Sequence, residues 1–281
     1  TKIIGANHLE GHLYSFLLKQ KTVNPKSKTL ISKLFPAIAL IVSGGHTILL
    51  LMESLTKWKK LGETLDDAVG ESFDKVARML ELPYPGGPEV EKLAAKGNPD
   101  AINFPRPMIH QKNSRSEQSR RYNFSFSGLK TSVLYYLKSE NSPLRKVSRS
   151  PSEHGLRPRS EERGRESSGR ANRWTSETPS FREANLSDVA ASFQKAAIDV
   201  LVKKTERAAR EFKAKSIMLS GGVATNKTLQ KELKKVALNT NSQFLTSNFN
   251  TDNAAMIAAA AYINFLNKKN RPLKANSNLN L

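Results

Sequence analysis

The stretch Ser216-Ile217-Met218-Leu219-Ser220-Gly221-Gly222-Val223-Ala224-Thr225-Asn226 decides the fold class. Ser216 to Leu219 reads as a short strand, Gly221-Gly222 breaks it, and a second helical pattern runs from about Thr225 to Val236. A strand that breaks at glycines and turns into a helix is where α/β folds receive phosphates and nucleotides. The pattern continues on both sides. Gln243 to Thr246 reads as another short strand, and an alanine-rich helix starts at Thr251 or Asp252 and runs to Phe265. Upstream, a long amphipathic helix reaches about Phe212, with Ser187 as its N-cap and Asp188 in its first turn. Strand, Gly-rich turn and helix in alternation predict an α/β protein.

Nearer the N-terminus, two apolar runs from Ala37 to Glu53 flank Ser43-Gly44-Gly45-His46, which predicts a β-hairpin with a small-residue turn. Ala68, Val69, Phe73, Val76, Ala77 and Leu80 set a helical period over Asp66 to Leu82. Pro83-Tyr84-Pro85-Gly86-Gly87-Pro88 ends that helix and precedes another, from about Glu89 to Lys96. Phe124 to Ser127 reads as a short strand, and Gly128 opens a helix through Leu137. From Ser139 to Glu183 the chain turns to Arg, Ser, Glu and Pro with almost no aliphatic residues. Such a segment buries too little apolar area to offset its ordering entropy, so it reads as a disordered insert, 139–183. The chain begins at Thr1, not Met, and enters a histidine-bearing helix at once, from which a truncated or processed N-terminus is expected.

With 281 residues and 38% hydrophobic content, the chain can bury one sizeable core or two modest lobes sharing a cleft. Its longest apolar runs are of strand length, and neither a membrane span nor a signal peptide is visible. The absence of cysteine excludes a disulfide framework and a thiolate metal site, and it fits a reducing, cytoplasmic setting. Any metal must use histidine and carboxylate. The net charge of +20 favours a polyanionic partner, nucleic acid first; the plainer alternative is a set of solvated lysine faces.

His8 and His12 stand at i and i+4, so on a helix both imidazoles project from one face and can hold one ion. Glu10 lies two positions from each and points off that face, which disfavours the His-Glu-x-x-His geometry of a zinc protease. The turns at Gly44-Gly45 and Gly221-Gly222 can bring backbone N–H groups to an anion, although an isolated Gly-Gly is more often an ordinary turn. Asp67, Glu71 and Asp74 share one helix face, a like-charge arrangement that needs a ligand or a cation such as Lys75 or Arg78. The helix dipole would account for Asp66 and Asp67 but not for Asp74. Asp252 is most simply an N-cap, and it is also the C-terminal carboxylate with the context of a third metal ligand.

Taken in order, the motifs are His8-Leu9-Glu10-Gly11-His12, Val42-Ser43-Gly44-Gly45-His46-Thr47, Gly62 to Asp67, Gly70 to Lys75, Tyr84 to Pro88, Phe124 to Lys130, Ser220 to Val223 and Thr251 to Met256. This series resembles the TsaD/Gcp family, the bacterial tRNA threonylcarbamoyladenosine transferases, over nearly all the chain outside the insert. The resemblance implies an actin-like ATPase fold, as in sugar kinases and heat-shock ATPases, with two lobes around a nucleotide cleft and the first lobe incomplete. On that reading 1–36 is a remnant of the first lobe with the metal-binding helix, 37–250 is the second lobe, and 251–281 is a helix returning towards the first lobe, with a tail. The implied activity is transfer of a threonylcarbamoyl group from threonylcarbamoyl-AMP to the N6 amine of the tRNA adenosine next to the anticodon. His8, His12 and Asp252 are implied as ligands of one divalent metal ion, iron or zinc. Ile41, Val42, Ser43, Gly44, Gly45, Asp74, Gly87 and Asn226 are implied to bind the adenylate, and no catalytic residue is assigned. TsaB and TsaE are the implied partner proteins, alongside tRNA. The family's N-terminal strand and acidic loop have no counterpart here, which leaves the activity of the chain alone open. The rival readings are a metal-dependent O-sialoglycoprotein endopeptidase and an inactive or scaffold paralogue.

Overall fold

The computed structural model describes residues 3–18, 31–109, 121–139, 185–247 and 250–267. From residue 140 onward the segment read as an insert lies outside the described residues, as does the tail beyond 267. Five strands, β1 (Ala37–Val42), β2 (Thr47–Met52), β3 (Trp58–Glu63), β4 (Ser216–Ser220) and β5 (Gln243–Thr246), form one sheet in the order β3-β2-β1-β4-β5. β2 runs antiparallel to both β1 and β3, whereas β4 is parallel to β1 and to β5. The described residues also hold seven α-helices: α1 (His8–Tyr14), α2 (Val69–Met79), α3 (Gly86–Ala94), α4 (Ser127–Lys138), α5 (Leu186–Glu211), α6 (Lys227–Asn239) and α7 (Ala254–Leu266).

β1 and β2 are apolar at nearly every position because helices cover both faces of the sheet, so all their residues are buried. The two-residue period of the strand then divides them between two cores. Ile38, Leu40 and Val42 join the core formed with α2, α4, α5 and α6, while Ala37, Ala39 and Ile41 join Leu9, Leu13, Tyr14 and Ile263 from α1 and α7. β3, with Lys59 and Lys60 exposed, closes one edge of the sheet.

Several helix starts differ from the sequence expectation, each for a stated hydrogen bond. α2 begins at Val69, not Asp66, because its first amide donates to Thr47 Oγ1 on β2. Asp66 instead accepts from the Phe126 and Ser127 amides and both serine hydroxyls at 125 and 127, capping α4. The strand expected at 124–127 therefore shrinks to one bridge, Thr64 to Phe124, before the helix begins. α3 starts at Gly86, three residues early, where Asp74 Oδ1 accepts the Gly86 amide at 2.9 Å. α5 is capped by Asn185, not Ser187, through a capping box closed by Asp188. α6 starts at Lys227 after a 3-10 turn at Gly222–Thr225, and the N-cap of α7 is Asn253, not Asp252.

Candidate functional site

β1 and β4 are parallel neighbours, with Ile41 opposite Ser220, so the two Gly-Gly turns that follow them emerge side by side at one edge of the sheet. Gly221 has φ of 94°, and a Cβ there would stand 2.3 Å from the Val42 carbonyl oxygen, so this approach requires glycine. Gly70, in the first turn of α2, allows the same closeness to the Ser43 carbonyl, 2.5 Å from its built Cβ. The Ser43 turn is closed by its own amide donating to the His46 carbonyl and by its hydroxyl accepting the His46 amide. By contrast, a Cβ at Gly44, Gly45, Gly87 or Gly222 would meet nothing, so these four glycines border open space.

That space is a cavity of about 710 Å³. Ser43, Gly44, Gly45, Asp74, Gly87 and Asn226 line it, together with His8, His12 and Asp252. Ile41 and Val42 do not: their side chains are buried in β1 and point into the two opposite cores. Phe73, Tyr84, Glu91, Thr225 and Thr251 also line the cavity, and none of them is among the site residues expected from the sequence. Tyr84, part of the helix-ending loop and of the Tyr84 to Pro88 motif, is 85% exposed. Glu91 carried no sequence signal; its Oε1 accepts the Lys227 amide at 2.7 Å, joining α3 to the start of α6.

His8 Nε2 and His12 Nε2 stand 3.4 and 3.1 Å from the same oxygen, Asp252 Oδ1. The three donor atoms all lie within 4.8 Å of one another. Ligands about 2.1 Å from a tetrahedral ion are separated by roughly 3.4 Å, so these spacings fit one shared ion. Burial pushes the His12 imidazole below its usual pKa, the neighbouring His8 pushes it further, and Asp252 opposes both. Burial lowers His46 in the same way. A neutral imidazole is the form that binds metal. Glu10 is fully buried and its Oε2 accepts from Asn264 Nδ2 at 3.0 Å.

The three carboxylates expected on one helix face are split, because α2 starts at Val69 and Asp67 lies before it, and the charges of Asp67 and Glu71 are balanced from within the protein. Lys75 pairs with both Asp67 and Glu71, and Lys130 takes the second oxygen of Asp67. Although burial pushes the Asp67 carboxyl up, the hydrogen bonds from Lys130 and Lys75 hold it below its ordinary value. Asp74, on α2, faces the cavity with one oxygen on the Gly86 amide. Asn226 is more committed than the sequence suggests. Its Oδ1 accepts the Leu229 amide as the N-cap of α6, and its Nδ2 donates to the buried Gln194 Oε1 at 2.8 Å.

Residues 1–259 match the model of the family described as TsaD: tRNA N6-adenosine threonylcarbamoyltransferase. Curated proteins with that enzyme name are similar along almost the whole chain. The one from Moorella thermoacetica is 40% identical over 277 residues, covering 98% of this chain and 65% of its own length. The one from Thermosipho africanus is 39% identical over 264 residues, covering 92% and 62%. The one from Thermosipho melanesiensis is 40% identical over 281 residues, covering 99% and 68%. The chain thus spans about two thirds of the length of these relatives. Among solved structures, the crystal structure of T. kodakarensis HypF aligns with 76% of this chain and 21% of that one at 17% identity, with a TM-score of 0.44. Family match and relatives agree over the strands, turns and helices that build the cavity, and the chain belongs to the TsaD family.

Proposed function

We propose that this chain acts in transferring a threonylcarbamoyl group from threonylcarbamoyl-AMP to the N6 amine of the adenosine next to the anticodon of tRNA. The amine attacks the carbamoyl carbon, the bond from that carbon to the phosphate oxygen breaks, AMP leaves, and the amine gives up a proton. The observation that carries the reading is one cavity bordered by two glycine turns on one side and by His8, His12 and Asp252 on the other. Open glycine backbone at Gly44, Gly45 and Gly222 suits an adenylate phosphate, and Asp74 suits a hydroxyl or amine donor. Tyr84, exposed at the cavity, suits the stacking of an unpaired base. An iron or zinc ion held by His8, His12 and Asp252 would polarise the carbamoyl carbonyl.

The five-stranded sheet, in the order β3-β2-β1-β4-β5, supports reading 37–250 as one lobe of an actin-like ATPase fold; 1–36 and 251–281, read as belonging to the other lobe, supply α1 and α7, which pack on one face of this sheet. TsaB and TsaE are proposed as partner proteins. No described helix is long and apolar enough to cross a membrane. The peptidase alternative needs a carboxylate beside a metal-bound water, and Glu10 is instead buried against Asn264.

The test is reconstitution with tRNA, threonylcarbamoyl-AMP, TsaB and TsaE, followed by mass spectrometry of the tRNA nucleosides. Threonylcarbamoyladenosine should form, and Asp74→Asn should lower its yield without unfolding the protein. Peptide release from a glycoprotein, lost in Glu10→Gln and unaccompanied by any tRNA product, would overturn the proposal.

A further inference from the structure

α6 leaves the rim of the cavity and carries positive charge away from it. Its N-cap, Asn226, lines the cavity, and the amide of its first residue, Lys227, is held by the lining residue Glu91. Lys227, Lys231, Lys234 and Lys235 then recur at intervals of three and four residues, and all four are exposed. On a helix of 3.6 residues per turn they fall within a stripe about 100° wide and about 12 Å long. Leu229, Leu233, Val236 and Ala237 fill the opposite side and are buried.

An exposed helix face needs polar residues, but glutamate would meet that need as well as lysine. Like charges four apart, as at 227 and 231 or at 231 and 235, destabilise a helix unless an anion lies against them. Lys235 has Glu232 at 2.7 Å. Lys227, Lys231 and Lys234 have no ion pair among the described residues, and Lys234 leans over the Phe244 ring instead.

We infer that the lysine stripe of α6 is the track on which the sugar-phosphate backbone of the acceptor RNA lies while its adenosine enters the cavity. The inference rests on the transferase reading above. It adds which surface holds the RNA: a run of phosphates that begins where the cavity opens and follows the helix outward. Four ammonium groups on one face can each displace a condensed counterion, so the contact is electrostatic, independent of base sequence and steeply dependent on salt. A second basic group offers an internal comparison. Lys33, Lys59, Lys213 and Lys215 are also exposed, but they lie at the opposite end of the sheet, where Ala37 pairs with Ser216 and the Lys215 amide donates to the Pro36 carbonyl.

The experiment uses the full 281-residue chain and a fluorescent anticodon stem-loop RNA, with anisotropy titrations from about 50 to about 200 mM salt. The variant K227Q/K231Q/K234Q/K235Q removes the stripe with a good helix former. The variant K33Q/K59Q/K213Q/K215Q removes the same charge elsewhere. Circular dichroism and thermal melting check that both fold. If each lysine meets one phosphate, the salt slope of the stripe variant falls by about 3, so this rise in salt costs it about 50-fold less affinity than it costs the wild type. The comparison variant should keep most of the wild-type slope. An unchanged slope in the stripe variant, or an equal loss in both, would overturn the track while leaving RNA binding by this chain in place. Absence of any salt-dependent binding by the wild type would instead overturn the transferase reading on which the track rests.

Discussion

Asn226 stands on the cavity wall, yet its side chain is spent on the fold, and replacing it should unfold the site before it exposes any role in ligand binding. Two hydrogen bonds set the size of the effect. Oδ1 caps α6 through the Leu229 amide at 2.9 Å, and loss of an N-cap costs about 1 kcal/mol. Nδ2 donates to Gln194 Oε1, which is almost fully buried and would lose that partner, at a cost of about 1–3 kcal/mol. Asn226→Ala should therefore destabilise the protein by about 2–4 kcal/mol, and Asn226→Ser, which keeps a cap but loses the long amide, by about 1–3 kcal/mol. Urea denaturation near neutral pH, followed by circular dichroism, reads these values from the midpoint at constant slope. An alanine variant within about 0.5 kcal/mol of wild type, where ordinary surface substitutions fall, would refute the argument and return Asn226 to the ligand.

Other expectations follow from the same geometry. His12→Ala and Asp252→Ala should each abolish stoichiometric iron or zinc by elemental analysis, because two donors remain where three converge, while Glu10→Gln should retain it. Lys204 is buried over the Phe124 ring, its ammonium donating to the Met108 and Arg121 carbonyls, and burial pushes it down to about 8. Between about 8 and the ordinary value of 10.5 the unfolded chain therefore binds the proton and the folded chain does not, so this residue makes stability rise with pH in that window. Lys204→Met should remove that rise from denaturation curves measured across the window. Gly221→Ala should cost about 2–5 kcal/mol, from the left-handed backbone and the Val42 carbonyl in its way, whereas Gly44→Ala should leave the melting temperature unchanged.

Where the physical cause is local, the sequence shows it. The apolar runs of β1 and β2 are visible because burial on both faces demands unbroken hydrophobicity, whereas β5, with Gln243 exposed and only Leu245 buried, is read from its place between two helical patterns. Sequence and structure differ at helix starts, where the capping partner comes from elsewhere in the chain. No pattern near Asp66 shows that Thr47 will take the Val69 amide, leaving Asp66 free to cap α4. The cap at Asn185 is legible in the sequence, since Asp188 stands at the third position after it, the spacing of a capping box. Asp252 and Asn253 are adjacent and both are good caps, so the sequence does not say which is used. Because Asn253 accepts the Met256 amide, the Asp252 carboxylate is left to face the histidines. Ile41 and Val42 belong to a motif whose glycines border the cavity, but the alternation of the strand turns their side chains into the cores.

The His8–His12–Asp252 group is a product of one helix pairing rather than of any single motif. His8 and His12 are fixed by α1, and Asp252 lies two residues before α7, so the trio exists only if α1 and α7 dock in register. Gly11 permits the close approach: a Cβ there would already stand 3.1 Å from Met256 Cγ and Ile257 Cδ1. At the other end of α7, Asn264 donates to Glu10, on α1 between the two histidines. A buried carboxylate is costly unless it is hydrogen-bonded, so this contact penalises any slip of α7 along α1. Glu10 thus serves the candidate metal group by holding in place the helix that presents Asp252. A peptidase would ask the same carboxylate to reach an open ligand position and move a proton there. Fully buried against Asn264, it is placed to register two helices and not to meet a substrate.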